Sequence, residues 1–143
     1  MLKPEALMRS LVGELLSRLE RKDLKIVGLK LIRLSLESAS ELYKVHRGKP
    51  FYNPLVEHMT SGPVVAIVVE GPNVVRVVRG MIGATNPLEA SPGTIRGDLA
   101  LVTENNIIHA SDSLESAERE MSIFFSEEEL AKYEKPSDAG FLL

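Results

Sequence analysis

Three histidines stand in this sequence, and one of them sits where a nucleophile would. His109 follows the apolar run Asn106-Ile107-Ile108 and precedes Ala110-Ser111-Asp112-Ser113, which has the composition of a helix start. At a helix N-terminus, free backbone N–H groups and the helix dipole attract anions. Imidazole is a competent nucleophile near neutral pH when one ring nitrogen is held by an acceptor. Glu120 is a candidate acceptor, placed beside Ala117 and Phe124 on the apolar edge of the following helix. The same position suits a solvated flank residue equally well. His46 and His58 lack such a setting and read as ordinary surface or core residues. Arg79 and Arg96 carry guanidinium forks suited to phosphate oxygens. Arg96 lies in Pro92-Gly93-Thr94-Ile95-Arg96-Gly97-Asp98, with glycines on both sides that let the backbone bend. Taken singly, each arginine reads first as an ion-pair partner, for example of Asp98 or Glu70.

Composition narrows the field. The chain has 143 residues, 44% of them apolar and 26% charged, as in an ordinary globular protein. That length suits one domain, taken here as 1–143. With no cysteine there is no disulfide, thiolate metal site or cysteine nucleophile. The longest apolar run, Val64 to Val69, is far short of the roughly 20 residues of a membrane helix. Lys3-Pro4-Glu5 stands where an apolar leader would build up, so a cytoplasmic location is expected. The net charge of −3 disfavours a dedicated nucleic-acid binder. There is no phosphate-binding P-loop, no G-x-G-x-x-G and no clustered set of metal ligands.

These residues need elements to position them. Leu7, Leu11, Leu15 and Leu19 recur at four-residue steps, predicting one amphipathic helix that Asp23 ends. Leu24 to Leu34 reads as a strand. Glu37 to Val45 and Phe51 to Met59 read as short helices, separated by Gly48-Lys49-Pro50. Pro63 to Glu70 is a strand with consecutive apolar residues, hence covered on both faces. In so small a chain, helices cover one face and a second subunit is the simplest cover for the other. Asn73 to Gly83 is taken as a helix despite its valines, with Asn73 as N-cap. Ala84 to Asp98 is a long loop, and loops of that length are often functional. Asn106 to His109 looks like a strand, and Asp112 with Glu115 makes a capping box for the next helix. The tail beyond Tyr133 is polar until Phe141-Leu142-Leu143. The order suggests an α+β fold, a small antiparallel sheet with helices on one side.

Taken together, the motifs resemble a family. Asn106-Ile107-Ile108-His109-Ala110-Ser111-Asp112-Ser113 is similar to the active-site signature of the nucleoside diphosphate kinases. Lys3-Pro4-Glu5, Leu11-Val12-Gly13-Glu14, Ser61-Gly62-Pro63-Val64-Val65-Ala66, Gly83-Ala84-Thr85-Asn86-Pro87 and Pro92 to Asp98 also match in order. The resemblance runs from Met1 to about Tyr133. It implies a ferredoxin-like fold, with a four-stranded antiparallel sheet and helices over one face. It implies reversible transfer of a γ-phosphoryl group from a nucleoside triphosphate, typically ATP, to a nucleoside diphosphate. The route is ping-pong, through a phosphohistidine. His109 is then the nucleophile. Glu120 orients its far nitrogen with Ser111 alongside, and Tyr43 lies near it. Lys3, Arg79, Thr85 and Arg96 hold the phosphates. Phe51 stacks on the base and Asn106 contacts the sugar. Mg2+ is expected on the nucleotide phosphates rather than on protein ligands. The long loop belongs to subunit contacts of a homo-oligomer, a hexamer ahead of a tetramer.

Two departures from the family pattern stand out. Only Met1 and Leu2 precede Lys3, where the family has a strand of several residues, so the first strand reads as truncated. Ala110 stands where glycine is common, and Glu5 where aspartate is. The alternative reading is a catalytically impaired homologue that binds nucleotide and serves in assembly or regulation. The presence of His109, Glu120, Arg79, Arg96 and Asn106 together favours the enzyme.

Overall fold

A computed structural model describes residues 1–139. The apolar end Phe141-Leu142-Leu143 lies outside the described residues.

The leucine stripe is carried by two helices rather than one. They are α1 (Pro4–Met8) and α2 (Val12–Arg21). Ser10 lies at φ 57°. Leu11 N–H reaches back to Ala6 O and Ser10 N–H to Leu7 O, which is a Schellman closure. Periodicity survives the break because both halves pack on one core: Leu15 belongs to it, and Leu7, Leu11 and Val12 lie against it. Asp23, at φ 62°, closes α2 in the same way, with Leu24 N–H on Leu19 O and Asp23 N–H on Glu20 O.

Strand β1 (Lys25–Arg33) pairs antiparallel with β2 (Pro63–Glu70), with a bulge between Ile26 and Gly28. Between them run α3 (Leu36–Leu42), capped by the Ser35 side chain, and α4 (Tyr52–Thr60). Helix α5 (Val74–Ile82) follows Asn73. That residue is left-handed at φ 51° and its side chain makes no cap bond, so it acts through backbone shape. The expected long loop holds a turn at Pro87–Glu89 and a short helix, α6 (Ile95–Leu99), which starts at a Thr94 cap. Helix α7 (Leu114–Phe124) is capped by Ser113, whose hydroxyl accepts from Ser116 N–H at 3.0 Å. The expected box of Asp112 and Glu115 is therefore displaced by one residue.

The expected four-stranded sheet is a two-stranded sheet flanked by two isolated bridges. Leu2 bridges Val65 on one side and Ile108 on the other, both antiparallel. Four tracks thus lie side by side in the order β1, β2, residues 1–3, residues 107–109. The third is short because Lys3 and Pro4 already begin α1. The fourth is bent because Ile107 lies at φ 76°. Beyond Val65, a largely apolar cavity of about 460 Å³ opens beside β2, lined by Ile67, Val69, Val78, Leu114 and Met121.

Helices pack on both faces, not one. Val65 joins Leu2, Ala6, Leu15, Ile82 and Ile95 in a core under α1, α2, α5 and α6. Val64 packs with Leu42, Tyr43, Val56 and Met59 under α3 and α4. Ala66 and Val68 meet Phe125 beyond the end of α7. Strand β2 is therefore covered on both faces within the chain, as its apolar run demands, and needs no second subunit. The exposed apolar pair lies instead on β1, where Leu29 and Leu31 are 52% and 68% exposed.

Candidate active site

The third and fourth tracks meet at His109, whose N–H donates to Met1 O at 2.8 Å. Its Nε2 hydrogen-bonds Glu120 Oε1 from the buried side of α7. The even choice for Glu120 falls to the acceptor: its side chain is 10% exposed and that of His109 23%. This leaves Nδ1 as the ring nitrogen without that bond. Tyr43, at the end of α3, meets the imidazole edge to face at 5.3 Å.

Burial sets the charges. It pushes the His109 imidazole below its ordinary value, with the Glu120 hydrogen bond working against that. Burial alone would raise the Glu120 carboxyl. The His109 hydrogen bond and charge, helped by Ser111, outweigh it and hold the carboxyl low. Lys3 is 6% exposed, and burial, helped by the charge of Arg96 and opposed by Glu5, lowers it to about 8. Tyr43 is driven up by burial and by the Glu120 and Glu5 charges, so its phenol stays protonated.

Arg96 is 7% exposed and donates to three backbone carbonyls. They are Asn106 O from Nε at 3.2 Å, Gly83 O at 3.2 Å and Ile108 O at 2.5 Å. Burial and the neighbouring Arg79 lower it to about 10, which leaves it charged at neutral pH. It does not pair with Asp98. That carboxylate takes Arg18 and Gly93 N–H instead, both near 2.9 Å. A guanidinium has five N–H donors, so two remain for a ligand. Arg79 is exposed and reaches Ala110 O at 3.4 Å. Asn106 is buried and donates to Thr85 O at 3.0 Å. Phe51 is 48% exposed; His46 packs on it at 5.2 Å and Lys49 Nζ lies 5.7 Å from its ring centre. His46 also stacks on Tyr43 at 6.5 Å, so a chain of rings runs from His109 to Phe51.

Glu120 and Tyr43 contact the His109 ring, Arg79 and Arg96 hold the carbonyls of Ala110 and Ile108 on either side of it, Thr85 is tied in only through its carbonyl, and exposed Phe51 is reached only through the rings of Tyr43 and His46. Buried atoms with no hydrogen-bond partner gather here: Tyr43 Oη, Asn106 Oδ1 and Glu120 Oε2. Such orphaned groups call for an explanation, and a polar ligand is one. Sequence reasoning missed His46 as a support for Phe51. It also missed Glu5, whose carboxylate takes Ile107 N–H at 2.9 Å and His58 Nε2 at 2.6 Å. No local spacing signals a pairing across 53 positions.

A family model for nucleoside diphosphate kinase matches residues 1–130. A nucleoside diphosphate kinase of Staphylococcus aureus is 57% identical over 139 residues, covering 97% of this chain and 93% of the relative. The chain belongs to the nucleoside diphosphate kinase family. Solved kinases superpose closely. The halophilic nucleoside diphosphate kinase of Halobacterium salinarum, in complex with CDP, matches at a TM-score of 0.94 and 42% identity, over 99% of this chain and 95% of that one. A family protein of Babesia bovis matches at 0.93 and 36%, over 98% and 95%. The Aquifex aeolicus nucleoside diphosphate kinase matches at 0.89 and 42%, over 91% and 94%. These lengths match the described chain nearly end to end.

Proposed function

We infer that this chain is a nucleoside diphosphate kinase working by ping-pong transfer at His109. Nδ1 attacks the γ-phosphorus of a nucleoside triphosphate, the P–Nδ1 bond forms, and the bond to the β–γ bridging oxygen breaks. The nucleoside diphosphate leaves with those electrons. A second nucleoside diphosphate then attacks the phosphohistidine through its terminal phosphate oxygen and frees the imidazole. The observation that carries this reading is the His109 ring, tied at Nε2 to a buried carboxylate, with Lys3 acting on it and Arg79 and Arg96 on the carbonyls of Ala110 and Ile108 beside it. Positive charge on the phosphorylated imidazole is met by Glu120, through Nε2–H. Phosphoryl transfer needs such positioning and charge stabilisation more than covalent invention.

Lys3, Arg79 and Arg96 are assigned to the phosphates, with Thr85 at their edge. Phe51 is assigned to the base and Asn106 to the sugar. Tyr43 supports the imidazole, and Ser111 supports Glu120. The CDP held by the halobacterial relative supports a nucleoside diphosphate as acceptor. Glu120 is tied to the histidine through Oε1, and Asp112 to Ser113 and Ser116. Mg2+ is accordingly assigned to the nucleotide phosphates, where it would neutralise their charge. The four tracks are read as the strands of a ferredoxin-like sheet, within one kinase domain over 1–143. Exposed Leu29 and Leu31 on β1 support a homo-oligomer, with the hexamer preferred. No described helix is long and apolar enough to cross a membrane. A cytoplasmic location is proposed, and cell fractionation tests it.

The deciding experiment is intact mass after mixing the protein with ATP and magnesium, and again after adding a diphosphate. One acid-labile phosphoryl group, gained and then discharged, is expected. His109→Ala should gain none. A folded wild type that gains none would favour a nucleotide-binding homologue without catalysis.

A further inference from the structure

Two acidic side chains are buried among the described residues, Glu120 and Glu5. The transfer steps use only the first. Glu5 Oε1 accepts Ile107 N–H at 2.9 Å, and Oε2 lies 2.6 Å from His58 Nε2. The two side chains are 11% and 27% exposed. The carboxylate therefore joins α1, α4 and the residue two before the nucleophile.

That residue is strained. Ile107 lies at φ 76°, a region that a β-branched side chain rarely enters. Ile108 N–H bonds Asn106 O at 2.9 Å across it, closing a γ-turn of the strained kind. Such a turn persists only where its surroundings hold it. Lys3 N–H holds Ile107 O at 2.8 Å, and Arg96 holds Asn106 O and Ile108 O. Glu5 alone holds Ile107 N–H from a side chain. A buried carboxylate with one oxygen unpaired is costly, and it would turn toward water.

We propose that His58 is a positioning residue for phosphoryl transfer: it keeps Glu5 on Ile107 N–H, and so keeps the strained turn that aims His109. His58 meets Glu5 and not the His109 ring, so it acts through Glu5. The proposal rests on His109 being the nucleophile.

The test compares the full chain with His58→Ala and His58→Gln. The Gln amide can still donate to the carboxylate. Two quantities are read: single-turnover phosphorylation by ATP with magnesium, and amide hydrogen exchange across residues 105–110. His58→Ala should phosphorylate roughly 10- to 100-fold more slowly at saturation, the cost of a small misplacement, with half-saturating ATP unchanged within about twofold. Exchange across the turn should rise. His58→Gln should recover most of both. Wild-type rates in His58→Ala, or equal slowing by Ala and Gln, would overturn the proposal. A wild type that takes no phosphoryl group, yet shows the exchange pattern, would overturn the kinase reading while the hold on Ile107 stood. Unchanged exchange in His58→Ala would sink the hold itself.

Discussion

Replacing Arg96 by alanine should cost the fold before it costs the chemistry. The guanidinium is 7% exposed, and three of its N–H groups end on the carbonyls of Gly83, Asn106 and Ile108. Those carbonyls belong to the end of α5 and to the turn before His109, two segments that the Asn106 side chain also links through Thr85 O. A buried carbonyl left without a donor costs about 1–3 kcal/mol. Asn106 O keeps the Ile108 N–H, and water will reach the vacated space, so a total of about 4 kcal/mol is expected rather than the full triple. For a chain of this length that corresponds to a fall in Tm of roughly 10–15 °C. Arg96→Lys keeps the charge but has no fork, and one ammonium cannot span all three acceptors. It should recover less than half of the loss. Thermal and urea unfolding at fixed protein concentration are the assays, because assembly shifts apparent stability. An Arg96→Ala protein that melts within about 2 °C of wild type, yet loses triphosphate binding, would refute the reasoning. The arginine would then be a phosphate ligand whose carbonyl bonds are incidental.

Four further outcomes follow from the same geometry. Because burial lowers the His109 pKa, the acid limb of the phosphorylation rate should have its midpoint below the ordinary histidine value of about 6.5, and a midpoint at or above it would contradict this. The stability sign is the same: the unfolded chain binds the proton more readily, so this contribution is full above about 6.5 and is lost as pH falls through the folded pKa, which acid titration of Tm checks. Phe51→Ala should weaken nucleotide binding by about 1–3 kcal/mol, the worth of one stacked base, while inorganic tripolyphosphate competes as before; calorimetry with both ligands separates the two. Gly97→Ala should destabilise by more than the usual 1–3 kcal/mol of an overpacked site, since its Cβ would stand 2.0 Å from Ser91 O, and urea midpoints will show it.

The His109 motif was legible from its local composition, whereas Lys3, Tyr43, Phe51 and Thr85 came only with the family resemblance. The strand Pro63–Glu70 was bounded correctly by its apolar run and flanking glycines. Lys25–Arg33 and Val74–Ile82 fell within a residue or two of expectation. What periodicity cannot see is where the backbone turns while the stripe continues. Ser10 breaks a helix whose leucines keep their step. Nor can it see close approaches. Gly97 was read as a point of bending, yet it sits inside α6 and is small because Ser91 O crowds it; Gly93, at φ 94°, is the one that bends. The run Asn106 to His109 has strand composition, but Arg96 takes its carbonyls and Ile107 leaves the extended region. The first miss is a local closure and the second a close backbone approach; in the third, hydrogen bonds from outside the segment override a local preference.

These overrides converge on one place. Lys3, Glu5, Arg96 and Asn106 are the polar side chains buried around His109, besides Glu120. Three of the four spend hydrogen bonds on backbone groups between Gly83 and Ile108. A nucleophile on a regular strand would have its carbonyls and N–H groups satisfied by a neighbouring strand. Here residues 1–3 satisfy part of the bent segment, and Arg96 and Glu5 satisfy groups that they leave. Of these only Arg96 is a cation, and it holds the carbonyls just before His109 at no further cost of burial. That arrangement concentrates positive charge around His109 in a chain of net charge −3. It also makes a specific demand: stability and transfer rate should fall together for Arg96 variants, whereas His58 variants should lower the rate far more than the melting temperature. If both sets moved the two quantities in parallel, the turn would be a structural joint and nothing more.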